Sequence, residues 1–351
     1  MGVEKIKVLH MLTTDRYSGA ENVVCQIAHM FQNEELYEVL YCSPDGSIRE
    51  TLAEQNVPFV PMKGLSVSEF RRVIKSVNPD IVHAHDMKAS VLAALAGAGR
   101  KLISHIHNSD FQARRVSVKS LLYLAASTKI KQIVWVSESC YNGYFFHGLV
   151  KAKSHILGNV LQRDSVVQRV KQDTNSYSHD VVYVGRIEDP KNPFRLIRIL
   201  SLVSKVVDNL SVGIVGAGEQ LEETKQLARE LGVDRNIVFY GFKQNPMKIL
   251  QSAKVMVMTS DREGTPMVAL EAMALGIPIV STPVDGMCKL VDNGVTGYLQ
   301  DDELTFANRI VSIINDDNLR EQLSVETGKR FEQLCAPSVY CTKLRSLYEK
   351  L

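Results

Sequence analysis

Short apolar runs alternate with helix-length stretches along almost the whole chain, and this alternation is the strongest constraint on its fold. From residue 6 to 157, runs at 6–12, 37–42, 57–61, 81–83, 102–106 and 132–136 read as strands; helical periods fall at 19–31, 47–55, 66–76, 88–98, 117–129 and from 138 onward. A second series has strands at 181–187, 211–215, 237–240 and 254–260, with helices at 193–206, 219–231 and 266–276. Strands that are apolar throughout are covered on both faces, and βα alternation supplies the covering helices. The expectation is an α/β protein with two doubly wound parallel sheets. Between 158 and 179 the rhythm lapses into polar residues, which reads as an interdomain connection. A length of 351 residues likewise exceeds what one core usually serves. The predicted domains are 1–160 and 161–335, with a last helix at 336–351 set off by Pro337.

In such sheets ligands gather at the carboxyl ends of the strands, so chemistry is sought in the loops that follow them. The loop after 254–260 and the helix after it carry two acids, Glu263 and Glu271. Thr265 suits an N-cap, Pro266 the first helical position and Gly276 the stop. Glu271 is the only charge between Pro266 and Gly276, and an ionised carboxylate there needs strong donors. The two hydroxyls of a ribose would supply them, while the free N–H groups of residues 266 to 268 would face a diphosphate at the positive helix end. Glu263, on the loop, points further out. A solvated helix acid and an ordinary loop acid are the bland alternatives.

Other strand ends carry weaker signals. Gly19 opens the first helix and permits close backbone approach to a bound group. His83-Ala-His85-Asp86 and His105-Ile-His-Asn-Ser-Asp110 end two neighbouring strands. For His83 and His105 a packed or hydrogen-bonded imidazole is the reading, and metal ligation is disfavoured. After the first strand of the second series come Gly185, Arg186 and Lys191, a glycine and two cations suited to a nucleotide diphosphate. Gly216-Ala-Gly218 lacks the third glycine of a dinucleotide fingerprint.

The string E-G-T-P-M-V-A-L-E-A-M-A-L-G-I-P-I-V-S-T at 263–282 resembles the donor-binding segment of the retaining GT-B glycosyltransferases of family 4. V-G-R-I-E-D-P-K-N at 184–192 is similar to that family's phosphate-binding loop. The resemblance covers essentially the full chain. It implies two Rossmann-like domains facing a cleft, the first for the acceptor and the second for a nucleotide-sugar donor, with the last helix returning to the first domain. It assigns Glu263 to hydroxyls of the transferred sugar, Glu271 to the ribose, and Arg186 and Lys191 to the pyrophosphate. Gly264, Thr265, Pro266, Met267 and Val268 fall on the donor segment, with Gly185 and Gly216 beside the nucleotide and Phe242 where the base is held. Gly19 belongs to the N-terminal loop, in which Ser18 stands where many members have a second glycine. His107 is placed at the transferred sugar and, with Glu263, Arg186 and Lys191, is expected to carry catalysis. No metal and no cofactor beyond the nucleotide sugar are expected, and family frequency favours UDP over GDP.

Composition excludes several other classes. A net charge of +2 is too mild for nucleic acid, yet 19 Lys and Arg against 15 Asp and Glu over residues 1–165 give +4 there and −2 for the rest. The six cysteines form no C-x-x-C pair, which suits a reducing cytoplasm. Residues 1–7 have no signal-peptide character, and no run approaches a membrane-spanning length. Residues 112–131 mix apolar and basic side chains with no acid, including Arg114, Arg115, Lys119, Lys129 and Lys131; an anionic membrane surface and a sheet-docked helix with a basic outer face fit this pattern equally. The function expected is a hexosyltransferase moving a hexose or N-acetylhexosamine to a glycan or lipid-linked acceptor, from the cytoplasm or the inner membrane face. A sugar-nucleotide epimerase of the same architecture and a catalytically idle GT-B partner protein are the rivals.

Overall fold

The computed structural model describes residues 5–32, 36–108 and 111–351. The start of the N-terminal stretch, residues 1–4, and Ser109 and Asp110 of the second histidine motif lie outside the described residues. The chain divides into two compact units, Met1–Val160 with Ala336–Leu351, and Leu161–Cys335.

Among the described residues the first unit has a seven-stranded sheet: β1 Ile6–Met11, β2 Tyr37–Pro44, β3 Phe59–Met62, β4 Ile81–His85, β5 Leu102–Ile106, β6 Gln132–Trp135 and β7 Ser154–Ile156. All pairs are parallel, in the order β3-β2-β1-β4-β5-β6-β7. Helix Gly19–Gln32 buries Val23, Val24, Ile27 and Phe31, a stripe at helical spacing. Helix Asp86–Ala96 buries Ala89, Ala93 and Ala94, small residues that let it lie close to β5. The last helix, Pro337–Tyr348, packs on Gly19–Gln32 and buries Tyr340, Leu344, Leu347 and Tyr348. Each large apolar side chain fully withdrawn from water contributes about 1.5–3 kcal/mol.

The second unit has a six-stranded parallel sheet among the described residues: β8 His179–Val184, β9 Val212–Val215, β10 Ile237–Gly241, β11 Ala253–Met258, β12 Ile279–Ser281 and β13 Gly297–Leu299, in the order β10-β9-β8-β11-β12-β13. Val181, Ile197, Leu200, Val255, Phe306 and Ile310 centre its core. In both sheets the winding direction reverses beside the first strand, between β1 and β4 and between β8 and β11. Loops leaving the carboxyl ends of those strands diverge and open a crevice.

Three local differences from the sequence reading have physical causes. The polar stretch 158–179 contains a helix, Arg163–Gln172, with only Val166 and Val170 buried, one turn apart. A two-residue stripe is too short to stand out as a period, yet the helix packs against Met247–Gln251 and Met267–Ala274. The donor helix starts at Met267, capped by Pro266 in extended conformation (φ −70°, ψ 122°) rather than by Thr265. Gly276, at φ 71°, takes the predicted left-handed stop. Finally, β4 runs on through His85, and its helix begins at once at Asp86, which adopts φ 65°.

Candidate functional site

The loops leaving β8 and β11 carry most of the predicted donor residues and are stitched together. Asn192, at φ 51°, caps helix Pro193–Ser204 by accepting from the Arg195 amide, and Pro193 holds the first helical position, so Lys191 is fixed just before a helix start. Thr259 Oγ1 lies 3.1 Å from the Lys191 and Asn192 carbonyls, to which it donates, and the Asp261 amide donates to the Pro190 carbonyl at 2.8 Å. Across this seam Lys191 Nζ donates to Glu263 Oε1 at 2.5 Å, and Ser260 Oγ to the same oxygen at 2.6 Å. The two charged side chains are 19% and 8% exposed. Glu263 therefore sits inward on a lysine rather than pointing out from its loop. Arg186 pairs with Glu188 and remains largely exposed, and its carbonyl accepts from the Tyr183 hydroxyl at 2.9 Å.

Backbone proximity accounts for two of the glycines. A Cβ on Gly216 would stand 1.8 Å from the Gly185 carbonyl oxygen, and one on Gly286 would stand 1.8 Å from that of Gly264. Gly216, at φ 154°, donates its amide to the Gly241 carbonyl at 2.9 Å, while the Ile187 amide reaches Ala217 at 3.0 Å. The loops after β8, β9 and β10 thus meet through main chain, with Phe242 standing exposed beside Gly241.

The helix after Pro266 presents two first-turn amides, not three, because proline has none. Those of Met267 and Val268 precede the first intrahelical donor, Ala269, whose amide reaches the Pro266 carbonyl at 3.1 Å. Thr265 and Gly264 belong to the loop before it. Glu271, one turn further in, is buried, and its Oε1 accepts from Arg169 Nη1 at 2.7 Å. A guanidinium from the overlooked helix is thus one of the strong donors that a carboxylate on this apolar helix requires.

In the first unit the carboxyl edge of the sheet is occupied by imidazoles. His10 on β1, His83 and His85 on β4, and His105 on β5 are buried, and His107 follows β5 half-buried. His10 Nδ1 and His85 Nε2 are 2.9 Å apart, as are His85 Nδ1 and His107 Nε2. Tyr348 Oη lies 3.0 Å from His83 Nδ1 and 3.4 Å from His10 Nε2. The His107 amide donates to Asp86 Oδ1 at 2.9 Å. Burial lowers the pKa of His10 to about 3 and holds His83, His85 and His105 well below the usual imidazole value, with neighbouring histidines adding to the effect. His107 is lowered by burial and partly restored by Asp86 and Glu21. All five are neutral at pH 7.

Two triads in this layer, His10-His83-His85 and His85-His105-His107, bring ring nitrogens within 4.8 Å of one another. The closest pairs, at 2.9 Å, are nearer than the roughly 3.4 Å that two nitrogens keep on one tetrahedral zinc with Zn–N bonds of about 2.0–2.1 Å. The arrangement suits N–H···N hydrogen bonds better than an ion.

Gly19 opens its helix at the same sheet edge. Beside it Glu21 is buried, accepting from Thr14 Oγ1 at 2.5 Å and from the Ser18 hydroxyl. Ser18, in place of a glycine, thus anchors this acid. Of the predicted residues, Gly185, Lys191, Glu263 and the start of the Met267 helix come together; Arg186 lies at the margin, and His107 and Gly19 belong to the other unit. Sequence reasoning missed Arg169, Ser260, His10 and Tyr348. The unmatched charge of Glu271 signalled a missing donor, and His10 shares the strand-end placement of His83 and His85.

Comparison with known proteins bears on the whole chain. The family described as glycosyl transferases group 1 matches residues 166–330, and glycosyltransferase family 4 matches residues 17–161. The UDP-Gal:alpha-D-GlcNAc-diphosphoundecaprenol alpha-1,3-galactosyltransferase of Escherichia coli is 25% identical over 89% of each chain, and the capsular polysaccharide biosynthesis glycosyltransferase CapM of Staphylococcus aureus is 24% identical over 91% of each. Among solved structures, Anabaena HepE in complex with UDP and glucose is 19% identical and matches with a TM-score of 0.85 over 99% of this chain and all of that one, which shows a common GT-B fold. With a matched family segment on each sheet-bearing unit, the chain belongs to the group 1, family 4 glycosyltransferases.

Proposed function

We propose that this glycosyltransferase is a retaining, metal-independent hexosyltransferase that moves a hexose or N-acetylhexosamine from a UDP-sugar to a hydroxyl of a glycan or lipid-linked acceptor in surface polysaccharide or glycolipid synthesis. The observation that carries the reading is the Lys191–Glu263 pair, held where the second sheet reverses direction. A lysine in this position is charged, nearly buried and bound to a partner that a diphosphate can replace. In the donor complex Lys191 and Arg186 turn to the phosphates, the Met267 and Val268 amides add the positive helix end, and Glu263 is released to sugar hydroxyls. Glu271, oriented by Arg169, takes the ribose, and His107 acts at the transferred sugar. Charge neutralisation of the leaving diphosphate then drives transfer without a covalent enzyme intermediate. UDP with glucose in the Anabaena protein, and a diphosphoundecaprenol-linked acceptor in the name of the E. coli relative, support the substrate classes.

An inner-membrane location is part of this reading. No helix among the described residues is long and apolar enough to cross a membrane. Phe111, Val116, Val118, Leu121 and Leu122 are exposed beside Arg114, Arg115 and Lys119, and Arg115 lies 4.2 Å over the Phe111 ring. Phe145, whose amide N–H donates to the Ala113 carbonyl at 2.9 Å, joins this surface, and Leu149 follows, also exposed. Such a surface fits the headgroup region of an anionic membrane, where lipid-linked acceptors reside.

The test is turnover with a panel of UDP- and GDP-sugars and a polyprenyl-diphosphate-linked saccharide, with and without EDTA, the product anomer being read by NMR. A UDP-sugar consumed with retention in EDTA is expected. Activity abolished by chelation and restored by Mn²⁺, or inversion at the anomeric carbon, would overturn the mechanism; epimerised donor without transfer would overturn the function.

A further inference from the structure

We propose that Tyr348, His10 and His85 are positioning residues whose hydrogen-bonded line fixes the tautomer of His107, an inference that rests on the role given to His107 above. Starting on the last helix, the line runs from Tyr348 Oη to His10 Nε2 (3.4 Å), from His10 Nδ1 to His85 Nε2 (2.9 Å) and from His85 Nδ1 to His107 Nε2 (2.9 Å). Each neutral imidazole has one donor and one acceptor, so choosing a direction at one end dictates every ring in between.

Two directions are possible, and the branch to His83 separates them. If Tyr348 donates to His10, it accepts from His83 Nδ1–H, and the buried His83 Nε2, which has no partner, is a bare lone pair. If the line runs the other way, Tyr348 donates to His83 Nδ1 and the same Nε2 becomes a buried N–H with no acceptor. An unmet buried donor costs about 1–3 kcal/mol. The first direction leaves no such donor at His83. It ends with the proton of His107 on Nδ1, a buried nitrogen with no partner at hydrogen-bond distance, but on a ring whose pKa the Asn159 side chain raises, which favours a proton there; nothing comparable acts on His83. His85 then occupies His107 Nε2, and Nδ1–H is the one donor the ring retains. The Asp86 carboxylate, by accepting the His107 amide, fixes the backbone that carries this ring.

Long-range ¹H–¹⁵N correlation spectra of the histidine-labelled protein test this directly. The chain has nine histidines, and His107→Gln identifies the signal of interest. The wild-type protein should show His107 with a protonated Nδ1 and a bare Nε2. Tyr348→Phe keeps the buried volume but removes the hydroxyl, and His85→Leu removes the donor; both should give His107 a mixture of tautomers. His85→Asn, which retains a donor near the position of Nδ1, should restore the wild-type pattern. UDP affinity should be unchanged in all three, while kcat falls roughly tenfold in His85→Leu, the scale seen when a group orienting a functional side chain is lost. A wild-type His107 protonated on Nε2, or an Nδ1–H form that persists in both Tyr348→Phe and His85→Leu, overturns the proposal. Tautomers that shift as expected while kcat holds overturn the role of His107 and leave the line standing.

Discussion

Arg169 Nη1 donates to Glu271 Oε1 at 2.7 Å, tying a helix from the most polar part of the chain to the lone charge of the donor helix. The side chains are 17% and 8% exposed, so breaking the pair leaves a carboxylate with little water to compensate. Arg169→Leu should cost roughly 2–4 kcal/mol of stability, toward the value for a buried pair that loses one partner. Arg169→Leu combined with Glu271→Leu should recover most of that, because the remaining charge is gone. Urea unfolding of the three variants measures both effects, and an unchanged midpoint for Arg169→Leu would refute the energetic role of the pair.

Glu271 and Glu263 should separate in nucleotide binding. Glu271→Ala should weaken free UDP by about 1.5–3 kcal/mol, the scale of charged hydrogen bonds. Glu263→Ala should bind UDP at least as tightly as the wild type, since it releases Lys191 from its partner, while losing turnover. Calorimetry with UDP decides the matter, and equal affinity for wild type and Glu271→Ala removes the ribose assignment.

The difference between the two acids also shows where the sequence is legible. Apolar strands and their order along the chain are visible because a buried strand needs several consecutive apolar residues, as in Val255, Met256 and Val257 of β11. The three-residue strands β7, β12 and β13 and the helix Arg163–Gln172 bury too few residues to leave a period. Site residues beside special backbone, such as Gly185 and Lys191, are readable in the same way. Their partners are not: Arg169 meets Glu271 across 102 positions and Tyr348 meets His83 across 265. Local sequence carries a need for a donor but not the address of the group that meets it.

The imidazole layer predicts a pH dependence with a definite sign. In the unfolded chain histidines take up protons near pH 6.5, whereas burial holds His10 to about 3 and keeps His83, His85, His105 and His107 below their usual value. The unfolded state therefore binds more protons below pH 6.5. The stability contributed by neutral imidazoles is complete above that pH and is lost as pH falls from 6.5 toward 3, by about 1.4 kcal/mol per pH unit for each fully shifted histidine. Between pH 7 and 5, above the carboxylate range, the urea midpoint should drop steadily, and His105→Gln should make the drop shallower. A midpoint that stays flat over that window contradicts the neutral layer.

Membrane attachment should depend on one end of the basic segment only. Arg114, Arg115 and Lys119 lie around the start of helix Val118–Ser127, which Ser117 and Ser120 fix by a reciprocal capping box. Lys129 and Lys131 lie past its other end, where the Lys131 amide bonds the Leu102 carbonyl at the start of β5. The helix is ten residues long, or about 15 Å, and it separates Lys129 and Lys131 from the exposed apolar residues Phe111, Val116, Val118, Leu121 and Leu122 at its start. Leu121 and Leu122, which could have packed on the sheet, are instead 47% and 52% exposed, while Tyr123 and Ala126 make the inward contacts. Each cation near an anionic surface adds about 1 kcal/mol, and the exposed apolar residues add insertion. Co-sedimentation with vesicles containing anionic lipid should therefore be strong at low salt and fall as salt rises. It should weaken when Arg114, Arg115 and Lys119 become Ser, and again when Leu121 and Leu122 become Ser, yet change little for Lys129→Ser with Lys131→Ser. If the wild-type protein stays in the supernatant with anionic vesicles at low salt, the surface has another use and a soluble acceptor should be sought.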